Sequence, residues 1–262
     1  MKKAILLAGI LSALVFTSCK KDKDDNGGDN NGGGGDNPTT KLIKKMTKVE
    51  NGITTVYNFT YDNAKKLTGF ASADNKESTT FSYDAAGNLI KVESIEQEFK
   101  NVYNYTYANG VPVSGTFKSW QKSAGEPDEL VEDDELTYTV ANNQVTKLKL
   151  HMKQADEDLD MDFSYTNGNL SKVETVQGSA FSYKATFTFG TKKAPFPQVS
   201  KYVLDQAGFS LFFSSKNELI TTVLDFPGTQ LDETTTLTYT YDANGYPLTS
   251  NDGAVKLTYE YQ

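Results

Sequence analysis

The chain repeats one short phrase, and that phrase fixes the kind of fold it can reach. FTYDNAKKLTGF begins at Phe59, FSYDAAGNLIKV at Phe81, YTYANGVPVSG at Tyr105, FSYTNGNLSKV at Phe163 and YTYDANGYPLTS at Tyr239. Looser copies start at Leu136 (LTYTVANNQVTKL) and around Leu211 (LFFSSKNELITTV). Aromatic–hydroxyl–aromatic is a period of two, so both rings point to one face of a strand and the Ser or Thr to the other. DAAGN, TNGN and DANG then supply residues that tolerate positive φ, as tight hairpin turns require. A second strand follows, carrying Leu89 and Val92 or Leu170 and Val173. Aromatic and β-branched residues suit a pleated surface, and long stretches of helical period are rare.

From about residue 41 to residue 262 the pattern predicts an all-β domain. It is a large antiparallel up-and-down meander of roughly 16–18 strands, each beside the next, forming a closed or flattened barrel. Parity supports this locally. In TKLKLHMK, Leu148, Leu150 and Met152 face one way and Lys147, Lys149 and His151 the other. DLDMDFSY repeats the alternation with Leu159, Met161 and Phe163 against Asp158, Asp160 and Asp162. A loop of Gln154 to Glu157 would pair Lys153 with Asp158, His151 with Asp160 and Lys149 with Asp162, making an ion-pair ladder on the polar face. KKAPFP, Lys192 to Pro197, interrupts the meander and reads as a long loop or edge crossing, because proline cannot donate within a central ladder.

Two constructions fit such alternation: aromatic face inward with charges toward water, or aromatic face toward lipid around a polar channel. The first is the expectation, giving a water-soluble barrel. Strands such as FSYDAAG are short of the 9–11 residues needed to span a bilayer. The inward aromatic face must then either collapse into a sandwich-like barrel or surround a cavity.

The N-terminus carries an address. Lys2 and Lys3 precede an apolar run from Ala4 to Phe16, then Thr17, Ser18 and the single cysteine, Cys19. This reads as a signal peptide over residues 1–18, too short to cross a bilayer as a helix. FTSC resembles a bacterial lipobox, which makes Cys19 the lipidated first residue of the mature protein and its link to the membrane. Residues 19–40 add a flexible Gly/Asn/Asp linker, with a reach of about 25 Å. Its charged start resembles the surface-export signals of Bacteroidota lipoproteins. The expected location is therefore the outer membrane, lipid-anchored at the cell surface or periplasmic face.

Composition then excludes several functions. All 26 basic residues are lysines, set against 34 acidic ones. Without arginine the chain lacks the bidentate fork for phosphate and guanine, so nucleic acid is not an expected partner. With Cys19 used for lipid, no disulfide or cysteine-based metal site remains. Asp22, Asp24, Asn26 and Gly27 imitate the opening of an EF-hand loop, but the twelfth position is Gly33 rather than glutamate.

The repeat resembles the YD (RHS-type) repeat through Tyr61–Asp62, Tyr83–Asp84, Gly87, Leu89, Tyr241–Asp242 and Gly245. Over residues 41 to 262 the chain is still more similar to a family of Bacteroidota lipoproteins of unknown function with a porin-like β fold. That resemblance implies many up-and-down strands closing on themselves, and brings no catalytic residues.

Nothing in the sequence assigns a catalytic residue, a metal site or a cofactor. His151, the sole histidine, sits among outward lysines. The acidic runs Glu126 to Glu135 and Asp156 to Asp162 are matched by neighbouring lysines as well as by calcium chemistry. Trp120 ends a strand before a polar loop, where it either stacks on a sugar or joins the core. The leading expectation is a non-catalytic surface or periplasmic binding or adhesion module for a glycan or protein ligand. The alternatives are a structural component of an outer-membrane assembly and a carboxylate-dependent glycan-processing enzyme, whose paired acids have no fixed spacing in sequence.

Overall fold

The computed structural model describes residues 41–262 apart from 124, 177, 179–181 and 207. Cys19, the signal peptide, the linker and the EF-hand-like stretch lie outside the described residues. The strands are β1 (Ile43–Glu50), β2 (Ile53–Tyr61), β3 (Leu67–Ser72), β4 (Ser78–Tyr83), β5 (Leu89–Ile95) and β6 (Phe99–Ala108). Next come β7 (Val111–Gln121), β8 (Glu129–Ala141), β9 (Gln144–Met152), β10 (Glu157–Thr166), β11 (Asn169–Thr175) and β12 (Lys184–Lys193). After a short helix α1 (Phe209–Ser214) follow β13 (Asn217–Asp225), β14 (Glu233–Thr236), β15 (Thr238–Tyr241), β16 (Pro247–Asn251) and β17 (Val255–Tyr261).

The expected meander is present, with 17 strands in one antiparallel sheet. β1 pairs with β2 on one side and with β17 on the other, so the sheet returns on itself. An odd number of alternating strands would bring β1 and β17 together in parallel. They meet antiparallel because β14 and β15 are one run of chain interrupted at Leu237, whose amide still bonds the Ile220 carbonyl at 2.8 Å. The ring therefore has sixteen runs, and closure removes the exposed sheet edges that invite aggregation.

The repeats that carry Tyr–Asp build one kind of corner, whereas the copies at Tyr105, Leu136 and Phe163 turn through two residues at positive φ, Asn109–Gly110, Asn142–Asn143 and Asn167–Gly168. In the first Tyr–Asp corner, the Asp62 carboxylate accepts the amides of Ala64 and Lys66 at 2.9 and 2.8 Å, and Lys65 takes φ +62°. In the last, Asp242 accepts the amides of Asn244 and Tyr246, and Gly245 takes φ +76°. The left-handed residue lies three after the aspartate, which is why glycine recurs there. Register shifts fall at Tyr61, Tyr83, Tyr107, Tyr165 and Tyr241, so a β-bulge bends the strand where the tyrosine ends it. These corners lie on one rim, called here the Tyr–Asp rim. Both ends of the domain lie on it too, joined by backbone bonds between Leu42 and Gln262.

The aromatic face is inside. Tyr57, Phe59, Phe81, Tyr105, Phe117, Tyr138, Phe163 and Tyr259 are all buried. The outer face carries ion pairs such as Lys147–Asp162 at 2.6 Å and Lys149–Asp158 at 2.7 Å. The ladder exists but its register is two residues from the expected one. The loop starts at Lys153 rather than Gln154, so His151 faces Asp158, Lys149 faces Asp160 and Lys147 faces Asp162. Such a shift of two preserves the sorting of faces, so parity alone does not choose between them. The turn chooses: Asp156 takes φ +52°, and the Ala155 amide closes on the Met152 carbonyl at 3.1 Å.

The interior is neither collapsed nor empty. Sixteen runs enclose more space than wall side chains fill, and the chain itself enters that space. Residues 194–206 and 208–216, which include α1, leave β12 at the Tyr–Asp rim, cross the lumen and return to β13 at the same rim. Phe196 packs on Phe59 at 6.0 Å and on Tyr259 at 5.9 Å, ring to ring, while Phe213 meets Phe70 at 5.9 Å and Phe81 at 5.5 Å. Farther round, the Tyr138 hydroxyl donates to the Leu204 carbonyl at 2.7 Å. KKAPFP is thus the entrance to an internal plug, not a surface loop. Leu211 to Ser214, expected to begin a hairpin, is helical: a short segment apolar on every side satisfies its backbone internally once the walls leave it no strand to pair with.

Candidate functional site

Two features of the lumen offer binding chemistry. The first is a small, partly open apolar recess between the plug and the β13–β17 wall. Phe196, Phe212, Leu219, Leu237, Tyr239 and Tyr259 line it, with Ser215, Asn217 and Ser250 as polar members. Ser250 and Tyr259 satisfy one another at 2.8 Å, and Tyr239 donates to the Leu219 carbonyl. The recess has a fixed, self-satisfied wall.

The second feature lies toward the rim opposite the Tyr–Asp corners, on the inner face of β6, β7 and β8. Register places Glu132 opposite Ser119, and Asp134 opposite both Phe117 and Met152. Phe117, Ser119, Met152 and Asp134 are all buried, so this row points inward. Asp134 is only 7 % exposed and Ser119 4 %. Among the described residues, none hydrogen-bonds or ion-pairs with the Glu132 or Asp134 carboxylates, and the Ser119, Tyr103 and Tyr105 hydroxyls have no partner. Burial, then the charge of Asp134, pushes Glu132 up to about 7. Burial, then the charge of Asp133, pushes Asp134 up to about 6. From the plug, buried Asp205 accepts the Ser210 amide at 2.9 Å, and its charge acts on Tyr103, Tyr105 and Tyr138. Stacked rings complete the surface, with Tyr103 4.4 Å from Phe117 and 6.1 Å from Tyr105.

The residues singled out by sequence are dispersed. His151 faces outward and its Nδ1 meets Asp158 at 2.9 Å. The second acidic run is matched by lysines on the outer face. The first splits by parity: Asp133 and Glu135 pair outward with Lys118 and Lys153, while Glu132 and Asp134 turn in. Trp120 is half-buried beyond a bulge, between Lys100 and Leu130, and lines neither feature. Sequence reasoning missed the inward acids. The signal was present, since counting back by twos from Leu136 reaches Asp134 and Glu132.

No protein-family model matches the chain, and no curated protein does. Solved structures do. A porin-like protein from Bacteroides uniformis ATCC 8492 aligns over 86 % of this chain and 99 % of its own, with a TM-score of 0.51 and 17 % identity. A porin-like protein from Bacteroides vulgatus ATCC 8482 aligns over 85 % and 99 %, with a TM-score of 0.55 and 12 % identity. The chain has the porin-like β fold.

Proposed function

We propose that this chain is a non-catalytic binding module of the bacterial cell envelope, held to the outer membrane by lipid on Cys19 and displayed on the tether of residues 20–40. The observation that carries this reading is the plug. Residues 194–206 and 208–216 occupy the lumen from the Tyr–Asp rim, while unpaired polar side chains face inward near the opposite rim. A barrel filled in this way is suited to hold a ligand in a blind chamber rather than to conduct. The described chain begins at the plugged rim, where Leu42 bonds Gln262. The outward pairing of His151 with Asp158 fits a surface role better than catalysis. The aspartate-clamped corners support kinship with YD repeats, and the porin-like neighbours support an envelope setting.

The test is thermal melting of the full lipidated chain in detergent against panels of glycans, peptides and small organic cations, with conductance measured across planar bilayers. A rise confined to one ligand class, of the size mass action gives for binding to the folded state, and no stable channel are the expected results. Consumption of a glycan, a steady conductance or no shift from any panel would overturn the reading.

A further inference from the structure

We propose that the inner face of β6–β8 is a binding site for the ammonium group of a small organic amine, held between the Glu132 and Asp134 carboxylates and the Tyr103–Phe117 rings. This rests on the binding-module reading and names the ligand class of its chamber.

Asp134, beside Phe117 and Met152, has lost most of its water, and a native protein ordinarily returns a hydrogen bond or a counter-ion for that loss. Asp134 receives neither from the described residues. Buried Ser119, across the ladder from Glu132, likewise turns an unpartnered hydroxyl into the same space. The cations nearest Asp134, Lys153 and His151, belong to the outer face: Lys153 bonds Glu135 at 2.8 Å and His151 bonds Asp158. The wall therefore presents negative charge and acceptors that no inward cation among the described residues meets.

The surroundings select the kind of cation. Among the described residues, no three acidic, histidine or cysteine side chains are gathered to hold a metal ion. The lining has the stacked faces of Tyr103, Phe117 and Tyr105 instead, and aromatic faces attract ammonium groups while accommodating their alkyl stems. Hydroxyls at Ser119, Tyr103 and Tyr105 can accept the remaining N–H donors. The charge of Asp205 in the plug also acts on Tyr103 and Tyr105. The acidic excess of the whole chain favours cations over anions as partners.

The experiment is calorimetric titration of the full chain in detergent with 1,4-diaminobutane, with uncharged 1,4-butanediol and with calcium chloride, at low and moderate salt. Saturable binding of the diamine and none of the diol is expected. Glu132→Gln and Asp134→Asn should each weaken it at least about tenfold. Asp162→Asn, which removes one outward charge, should leave it unchanged. Asp134→Asn relieves a buried charge, so its melting temperature should not fall, which separates lost binding from lost folding. Equal binding of the diol, tight binding of calcium at the same carboxylates, indifference to both inward variants or no diamine binding would each overturn the proposal. If a glycan or peptide shifts melting while the diamine does not bind, only the ligand class falls; if nothing binds, the binding-module reading falls with it.

Discussion

The Tyr83 hydroxyl donates to the backbone carbonyl of Leu67 at 2.7 Å, tying the last ring of one hairpin to the first leucine of the hairpin before it. The bond recurs: Tyr61 to Ile43, Tyr165 to Val145, Tyr239 to Leu219 and Tyr261 to Pro247. Each tyrosine lies one place beyond the residue that would face its acceptor if the ladder continued. It satisfies a carbonyl left open where the strands part for their corners. Tyrosine recurs where phenylalanine would pack as well, because only the hydroxyl reaches that carbonyl.

Tyr83→Phe should therefore lower the free energy of unfolding by about 1 kcal/mol, the usual loss for a hydrogen bond whose partner stays partly buried. The ring itself, beneath Lys66 Nζ at 3.6 Å, is retained. A lower urea midpoint with an unchanged denaturant slope is the expected result. An unchanged midpoint would mean water replaces the hydroxyl at no cost.

Phe213→Ala tests whether the plug is part of the core. The side chain is 1 % exposed and is ringed by Phe70, Phe81, Phe196 and Phe209. Truncation should cost about 3–5 kcal/mol. If plug and wall fold as one unit, melting stays a single transition at lower temperature. Two transitions would show that the plug detaches from an intact barrel.

Gly69→Ala probes a close approach of two strands in the wall. A Cβ there would stand 2.5 Å from the Thr79 carbonyl oxygen, a backbone atom that cannot turn aside. Strand displacement should cost about 1–3 kcal/mol. Gly110→Ala meets no atom within 4 Å but has φ +75°, so its penalty is torsional alone. Thermal melting of the two variants separates steric from torsional demand.

These residues also show what the sequence made legible. Period-two aromatics and Asp–x–x–Gly corners are local signals, so strand number, inward aromatic face and turn positions could be read from Tyr61–Asp62 or Tyr241–Asp242 without tertiary information. The plug could not. Phe196 and Phe213 are chosen by contacts with Phe59 and Phe70, more than a hundred residues before them, and with Tyr259, about sixty beyond Phe196, and an apolar stretch looks alike whether it lines a wall or fills one. The inward acids fell between these cases. Glu132 and Asp134 obey the same alternation as Leu136, but a run of charges reads as solvated surface unless parity is carried through it.

Their burial has a consequence for acid–base behaviour. Folding raises Glu132 from its ordinary 4.5 to about 7 and Asp134 from 3.8 to about 6, so between those values the native state holds protons that the unfolded chain has released. Stability from these groups is fully present below about pH 4 and is lost as pH rises through 6 and 7. Carboxyls held low by hydrogen bonds, including Asp84 beside Asn88 and Asp158 beside Lys149, act oppositely and weaken the fold only on acidification below their ordinary range. Urea midpoints should therefore fall from pH 5 to pH 8. The Glu132→Gln/Asp134→Asn double variant should flatten that decline, while Asp133, Lys153 and His151 remain in place around Asp134. A saturating organic amine should flatten it in the parent chain as well, because a cation between the carboxylates favours their charged forms. Decline of equal slope in parent and double variant would assign the pH dependence to other groups, and an amine that leaves the slope untouched would place its binding away from this pair.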